Sequence, residues 1–134
     1  MKGTPMSEVK TVLIVDDDED FLLQQQVYLE KAGYQVLTAP GRKEAQLLVE
    51  KEKIDCAVID LMMEEVDGGF VLAHHLKAAN PALPVIMVTA VTSETGLNFG
   101  TMGEGEKKWV KADVVLAKPI RYEQLIREVQ RLLA

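Results

Sequence analysis

The sequence contains one cysteine, Cys56, and has no excess of positive charge. A single cysteine in 134 residues has no partner for an internal disulfide, and its place in an apolar run predicts a buried structural thiol. The formal net charge of −6 argues against a nucleic-acid surface, because binding to phosphates requires a basic face. We therefore expect neither a disulfide-stabilised domain nor a protein that binds nucleic acid.

Hydrophobic runs of membrane-spanning length are also missing, and the first ten residues, MKGTPMSEVK, lack the apolar core of a signal peptide. Apolar residues make up 48% of the chain and charged residues 27%, which is an ordinary globular balance. A chain of this length most simply forms one domain. We expect a single cytoplasmic domain over 1–134 that does not enter a membrane, with 1–9 as a flexible N-terminal segment.

Short apolar runs alternate with longer segments of helical period, which predicts an α/β domain with a parallel sheet. The rather continuous hydrophobicity of the runs fits strands that are covered by helices on both faces. The predicted strands are 11–15, 34–39, 56–60, 84–90 and 113–117. The predicted helices are Glu19–Lys31, Arg42–Lys53, Gly69–Ala79 and Arg121–Leu133.

The first predicted helix follows an acidic run, Asp16 to Asp20. Asp18 and Asp20 are expected to be acids of its first turn, where backbone N–H groups lack partners. The helix is expected to end at Ala32-Gly33, since glycine is a common C-terminal signal. Its apolar residues, placed roughly on one side, are Phe21, Leu22, Val27 and Leu29.

Polar residues stand at the ends of four predicted strands. Asp16 and Asp17 follow the first, Asp60 ends the third, Thr89 lies at the end of the fourth and Lys118 follows the fifth. Ligands of parallel α/β sheets bind beyond the carboxyl ends of the strands, so these side chains are expected to converge on one edge. Any one of them alone has a simpler explanation as a cap, a turn residue or a solvated side chain.

Four stretches together, LIVDDDED, CAVIDLMMEEVDGG, VIMVTA and LAKP, resemble the receiver domain of two-component response regulators. The resemblance extends from Thr11 to Ala134. It implies a flavodoxin-like, doubly wound sheet of five parallel strands in the order 2-1-3-4-5, with helices on both faces. It also implies that Asp60 accepts a phosphoryl group from a histidine kinase.

The remaining site residues follow from the same resemblance. A Mg²⁺ ion is expected on Asp17, Asp60 and the backbone carbonyl of Met62, with Asp16 acting mostly through a bound water. Thr89 and Lys118 correspond to the hydroxyl and the lysine that contact the phosphoryl group. Phosphoryl transfer needs positioning and charge neutralisation more than a strong base, and this set of residues supplies both.

The family resemblance also implies partners and a mode of action. The expected partners are a sensor histidine kinase or phosphotransfer protein and an unidentified downstream target protein. The domain is expected to signal by a conformational change, as a monomer or weak homodimer. It is not expected to be an enzyme, beyond assisting its own phosphorylation and dephosphorylation. The chain is either a stand-alone receiver or a piece of a longer regulator.

Two of the features that depart from the family pattern bear on how the domain passes its signal on. Val115 stands where many receivers carry an aromatic switch residue, and valine is too small and too stiff about χ1 for that movement. The segment 92–112 contains four glycines, each of which costs about 1 kcal/mol relative to alanine inside a helix. We expect the helix that receivers usually have here to be replaced by a mostly irregular loop, anchored by Phe99 and Trp109, with a correspondingly altered partner surface.

Two other functions compete with phosphoacceptance. A pseudo-receiver would bind a partner without phosphorylation; Val115 and 92–112 favour it mildly, and the intact strand-end set argues against it. A Mg²⁺-dependent phosphatase with an aspartyl nucleophile, of the haloacid-dehalogenase type, would need a second acid two residues after Asp60. Met62 occupies that position, so the phosphatase is a much weaker hypothesis than phosphoacceptance.

Overall fold

The computed structural model describes residues 9–60, 68–89, 113–117 and 120–133. These residues form five strands, β1 (Thr11–Val15), β2 (Gln35–Ala39), β3 (Cys56–Asp60), β4 (Val85–Thr89) and β5 (Val114–Ala117). They also form four helices, α1 (Glu19–Lys31), α2 (Arg42–Lys51), α3 (Gly68–Ala79) and α4 (Tyr122–Leu132). The predicted bounds of β1, β3 and α1 are confirmed to the residue, and the other elements begin or end one or two residues from their predicted limits.

All strand pairings are parallel, and the five strands lie in the order β2-β1-β3-β4-β5. Every residue of β1, β3 and β4 is buried, as expected for strands with helices on both faces. The predicted doubly wound α/β fold and strand order are thereby confirmed. None of the described helices is long and apolar enough to cross a membrane.

The core consists of two apolar layers, one on each face of the sheet. Alternate residues of a strand point to opposite faces, so Leu13 and Val15 join one layer while Val12 and Ile14 join the other. Apolar residues of α2 and α3 pack in the first layer, and those of α1 and α4 in the second: Ala45, Leu72, Ala73 and Leu76 on one face, Leu22, Leu29, Leu125 and Val129 on the other.

Helix α1 ends where the sequence predicts, but its buried side differs from the prediction. Gly33 adopts a positive φ of 100°, a conformation that favours glycine, and the chain leaves the helix there. Leu22 and Leu29 are buried, and the third buried residue is Gln25. The placement of Val27 on this side was wrong: it is 39% exposed, because five residues from Leu22 correspond to about 140° around the helix axis.

Several predictions fall on residues outside the described ranges. The loop in place of a helix over 92–112, with its anchors Phe99 and Trp109, is one of them and stays a prediction. The same holds for Lys118, for Met62 and for residues 1–8 of the N-terminal segment.

Candidate functional site

Asp16 follows β1 directly and is held at the sheet edge by its backbone. Its N–H donates a hydrogen bond to the carbonyl oxygen of Ala39 at 3.2 Å, which continues the pairing of β1 with β2. The side chain is only 2% exposed. Its Oδ1 accepts the backbone N–H of Asp18 at 2.9 Å, so the same carboxylate also shapes the turn into α1.

Asp60 is the last residue of β3 and lies beside Asp16. The register that pairs Val15 with Ile59 brings the next residue of each strand level at the sheet edge. Asp60 is 4% exposed, whereas Asp17 is exposed to solvent. Two buried carboxylates and one exposed carboxylate therefore meet at the ends of β1 and β3.

The three carboxylates are close enough to share one cation. One oxygen from each of Asp16, Asp17 and Asp60 lies within 4.8 Å of the other two. Three negative charges at this separation repel one another, and burial of two of them adds a desolvation cost to keeping them ionised. A bound divalent cation relieves both penalties, and carboxylate oxygens are the ligands that Mg²⁺ prefers.

Thr89 brings an unpaired hydroxyl to the same edge. Asp60 pairs with Val88 across the β3–β4 register, so Thr89 lies one residue beyond Asp60 on the neighbouring strand. Thr89 is fully buried, and its Oγ1 has no hydrogen-bond partner within the part of the chain that the structure describes. A buried hydroxyl without a partner carries a free-energy cost, which a hydrogen-bonding ligand at this edge would remove.

The other strand-end residues of the prediction are only partly placed. Thr89 pairs with Ala117 of β5, and the next residue in the sequence is Lys118, which lies outside the described ranges. Met62 lies outside them as well. The structure thus brings together the carboxylates of Asp16, Asp17 and Asp60, and it places Thr89 at the end of the neighbouring strand.

The remaining residues of the acidic run, Asp18 to Asp20, form the N-cap and the first turn of α1. Asp18 is the N-cap of the helix, with its Oδ1 accepting the backbone N–H groups of Asp20 at 3.0 Å and Phe21 at 3.3 Å. Asp20 lies in the first turn together with Glu19, as predicted for Asp20. The prediction for Asp18 was off by one position, because its side chain caps the helix from the residue before the first turn.

Two tyrosines near this edge were not predicted to interact. Tyr28 of α1 and Tyr122, the first residue of α4, stack with ring centroids 4.3 Å apart and an interplanar angle of 6°. Burial raises the pKa of Tyr122, with smaller contributions from Tyr28 and from Asp16. No local pattern predicts a pair so far apart in the sequence; the only available signal is that Tyr122 begins the helix that follows Lys118.

The fold is a doubly wound parallel sheet with a group of carboxylates at its carboxyl edge, next to a strand-end threonine. This is the α/β class of domain, in which ligands bind beyond the carboxyl ends of the strands. The family model for the response regulator receiver domain matches residues 12–130. This protein belongs to that family, the receiver domains of two-component response regulators.

Individual relatives agree with this assignment. The transcriptional regulatory protein RprY of Bacteroides fragilis is 32% identical over 128 residues, which cover 96% of this chain and 51% of that protein. The response regulator SaeR of Staphylococcus aureus is 34% identical over 123 residues, 91% of this chain and 50% of that protein. The chain thus spans about half the length of these curated relatives.

Solved structures agree as well. The chemotaxis protein CheY4 of Vibrio cholerae superposes with a TM-score of 0.78 at 30% identity, covering 93% of this chain and 99% of that one. The receiver assignment made from four sequence stretches is confirmed by all three kinds of comparison.

Proposed function

We propose that this receiver domain accepts a phosphoryl group on Asp60 from the phosphohistidine of a sensor histidine kinase or phosphotransfer protein, and signals to a downstream protein by a conformational change. The observation that carries the proposal is the cluster of Asp16, Asp17 and Asp60, whose carboxylate oxygens lie within 4.8 Å of one another. Within it, Asp60 is the residue that ends a central strand, next to Thr89, whose buried hydroxyl has no hydrogen-bond partner among the described residues.

The cluster fits a Mg²⁺ ion on chemical grounds. Its donors are hard oxygen atoms, and three carboxylates this close to one another favour a ligand that carries positive charge. Asp17 and Asp60 would hold the ion, with Asp16 acting mostly through a water. The Met62 carbonyl completes the proposed set by family resemblance alone. When bound, Mg²⁺ neutralises charge on the phosphoryl oxygens.

Asp60 would act as the nucleophile. A bond forms between one of its carboxylate oxygens and phosphorus, the bond from phosphorus to the imidazole nitrogen of the donor breaks, and the imidazole leaves with the electron pair. The carboxylate needs no proton removed, so positioning in line with the breaking bond is the main requirement. The fixed end of β3 supports that positioning, because Asp60 pairs with Val88 in the sheet.

Thr89 and Lys118 would stabilise the transferred group. The Thr89 hydroxyl donates no hydrogen bond to any of the described residues. A phosphoryl oxygen on Asp60 would accept a hydrogen bond from it. Lys118 would contribute a second positive charge. Because the aspartyl phosphate is carried rather than turned over on a separate substrate, the domain would act as a signalling acceptor in the cytoplasm and not as an enzyme.

Val115 bears on how the domain passes its signal on. Val115 is partly buried and packs against the core layer that lies under α2 and α3. A valine in that position does not provide the aromatic movement that many receivers use, so we propose that output proceeds through another part of the surface.

The proposal is tested by intact-mass analysis of the full chain after incubation with acetyl phosphate and Mg²⁺. We expect one added phosphoryl group on the wild type and none on Asp60→Asn. The matched control is Asp55→Asn, an aspartate at the opposite edge of the sheet, which should still be labelled. Labelling of Asp60→Asn at the wild-type level would overturn the assignment. A wild type that never takes a phosphoryl group, from acetyl phosphate or from kinase, would favour the pseudo-receiver instead.

A further inference from the structure

The first residue of α4 is attached to α1 at two points. The ring of Tyr122 stacks on Tyr28 at 4.3 Å, and its hydroxyl donates a hydrogen bond to Oε1 of Gln24 at 2.6 Å. Gln24 and Tyr28 are four residues apart on α1 and therefore lie on the same side of that helix. We call these three residues, Gln24, Tyr28 and Tyr122, the tyrosine clamp.

The start of α4 has no side-chain cap. The N-cap residue, Arg121, makes no side-chain capping hydrogen bond. Ile120 and Tyr122 are partly buried against the second core layer, and the fully buried anchors, Leu125 and Val129, begin almost one turn further along. The clamp therefore acts together with this packing to set the position of the first turn of α4, because capping, the usual device, is not used here.

Lys118 and the acidic side chains follow different strands. Asp16 and Asp17 follow β1 and Asp60 ends β3, whereas Lys118 follows β5 in the sequence. On one face of the sheet, α1 and α4 pack in the same core layer and link the two regions in addition to the sheet. Tyr122 stands four positions after Lys118 in the sequence, and Asp16 is near enough to contribute to its raised pKa.

We propose that Tyr28 and Tyr122 are positioning residues for phosphoryl acceptance, which tie the start of α4 to α1 four positions after Lys118 in the sequence. The inference rests on the function proposed above. Their effect is exerted through Lys118, because the clamp holds the first residue of the helix that follows it in the sequence.

The decisive experiment is a double-mutant cycle between Tyr122→Leu and Lys118→Ala in the full chain. The readout is the rate constant of phosphorylation by acetyl phosphate, a donor too small to depend on protein docking. We expect Tyr122→Leu to lower this rate constant by about threefold to tenfold, the change that loss of one aromatic pair corresponds to. In the Lys118→Ala background the same substitution should have no further effect.

Two further measurements separate positioning from general loosening of the fold. The dissociation constant of Mg²⁺, measured by equilibrium titration, should be the same for Tyr122→Leu as for the wild type. Tyr122→Phe keeps the stacked rings and should restore most of the rate, and Tyr28→Leu should repeat the effect of Tyr122→Leu. Leu47→Ala, on the exposed side of α2, is the matched control and should leave the rate unchanged.

The clamp proposal is overturned if Tyr122→Leu reacts at the wild-type rate, or if its effect multiplies with that of Lys118→Ala. It is also overturned if Mg²⁺ binding weakens in step with the rate. Each of these results leaves phosphoacceptance by the wild type intact. A wild type that takes no phosphoryl group at all would instead refute the proposed function, so the two failures are distinguishable.

Discussion

Aspartates stand at both edges of the sheet, in very different surroundings. At the amino edge, where the strands begin, Asp55 accepts the backbone N–H of Thr11 at 2.8 Å. Asp113 accepts the N–H of Val85 at 2.8 Å and pairs with the ammonium of Lys77 at 2.8 Å. Each of these two carboxylates therefore has its own donor.

At the carboxyl edge, where the strands end, Asp16, Asp17 and Asp60 have one another as close neighbours, with oxygens within 4.8 Å. The same residue type thus holds strands together at one edge and, at the other, forms a group whose oxygen atoms suit a cation. Carboxylates this close to one another repel, which favours a ligand that carries positive charge.

The largest expected effect concerns Cys56, the first residue of β3, at the amino edge. Burial raises the pKa of its thiol to about 12, and the nearby charges of Asp113 and Asp55 contribute, against a lowering by Lys77. Because the folded-state pKa lies above the unfolded value of 9.0, this stability is complete below pH 9 and is lost as the pH rises towards 12. The loss reaches about 4 kcal/mol at the end of that window, at about 1.36 kcal/mol per pKa unit.

Urea unfolding of the wild type and of Cys56→Ala between pH 8 and about pH 12 measures this effect. The free energy of unfolding of the wild type should fall more steeply with pH than that of the variant. Parallel curves would mean that the thiol ionises in the folded state as readily as in the unfolded chain.

The second prediction concerns Asp113, the carboxylate at the amino edge that accepts from Val85 and pairs with Lys77. Asp113→Ala should lower the free energy of unfolding by about 2–3 kcal/mol, because it leaves the Val85 N–H and the Lys77 ammonium without their acceptor. Phosphoryl uptake should persist. Asp113→Asn, which keeps an acceptor for the N–H, should cost less. If both variants were as stable as the wild type, the amino-edge acids would not be structural.

The third prediction concerns the cation at the carboxyl edge. Mg²⁺ at tenfold excess over its dissociation constant should raise the free energy of unfolding by about 1.4 kcal/mol. Asp17→Ala should weaken binding strongly. Asp18→Ala should leave binding nearly unchanged and cost only the helix cap, about 1 kcal/mol. The reverse order of the two variants in a Mg²⁺ titration would mean that the binding acids are wrongly assigned.

The smallest expected effect on the free energy of unfolding comes from the repulsion among the three carboxylates when no cation is bound. In buffer free of divalent cations, Asp17→Asn should raise the free energy of unfolding by about 0.5 kcal/mol, a small value because Asp17 is exposed and its charge is screened. The gain should shrink at high salt. Asp18→Asn, which retains a good N-cap, is the matched control and should change little. A loss of stability in Asp17→Asn would show that repulsion does not dominate at this edge.

The sequence alone was sufficient for the sheet and for the meeting of Asp16, Asp17 and Asp60 at its carboxyl edge, whereas Lys118 and Met62 lie outside the described residues and stay predictions. Apolar runs set apart by helical segments specify strands of a parallel sheet, and parallel strands necessarily bring their ends to one edge. Asp16, Asp60 and Thr89 could therefore be placed together without a structure. The glycine at position 33 and the capping acid before α1 act through local backbone geometry, so the ends of that helix could be predicted too.

Other features depended on packing between distant segments. The hydrophobic pattern assigned Val27 to the core, whereas the helix buries Gln25, because the angular position of each side chain on α1 follows from how the helix sits on the sheet. The stack of Tyr28 on Tyr122 likewise has no local sequence signal. Local chemistry and strand topology thus determined where the site is, and only the tertiary structure decided which distant side chains meet around it, since those contacts depend on the relative placement of whole helices.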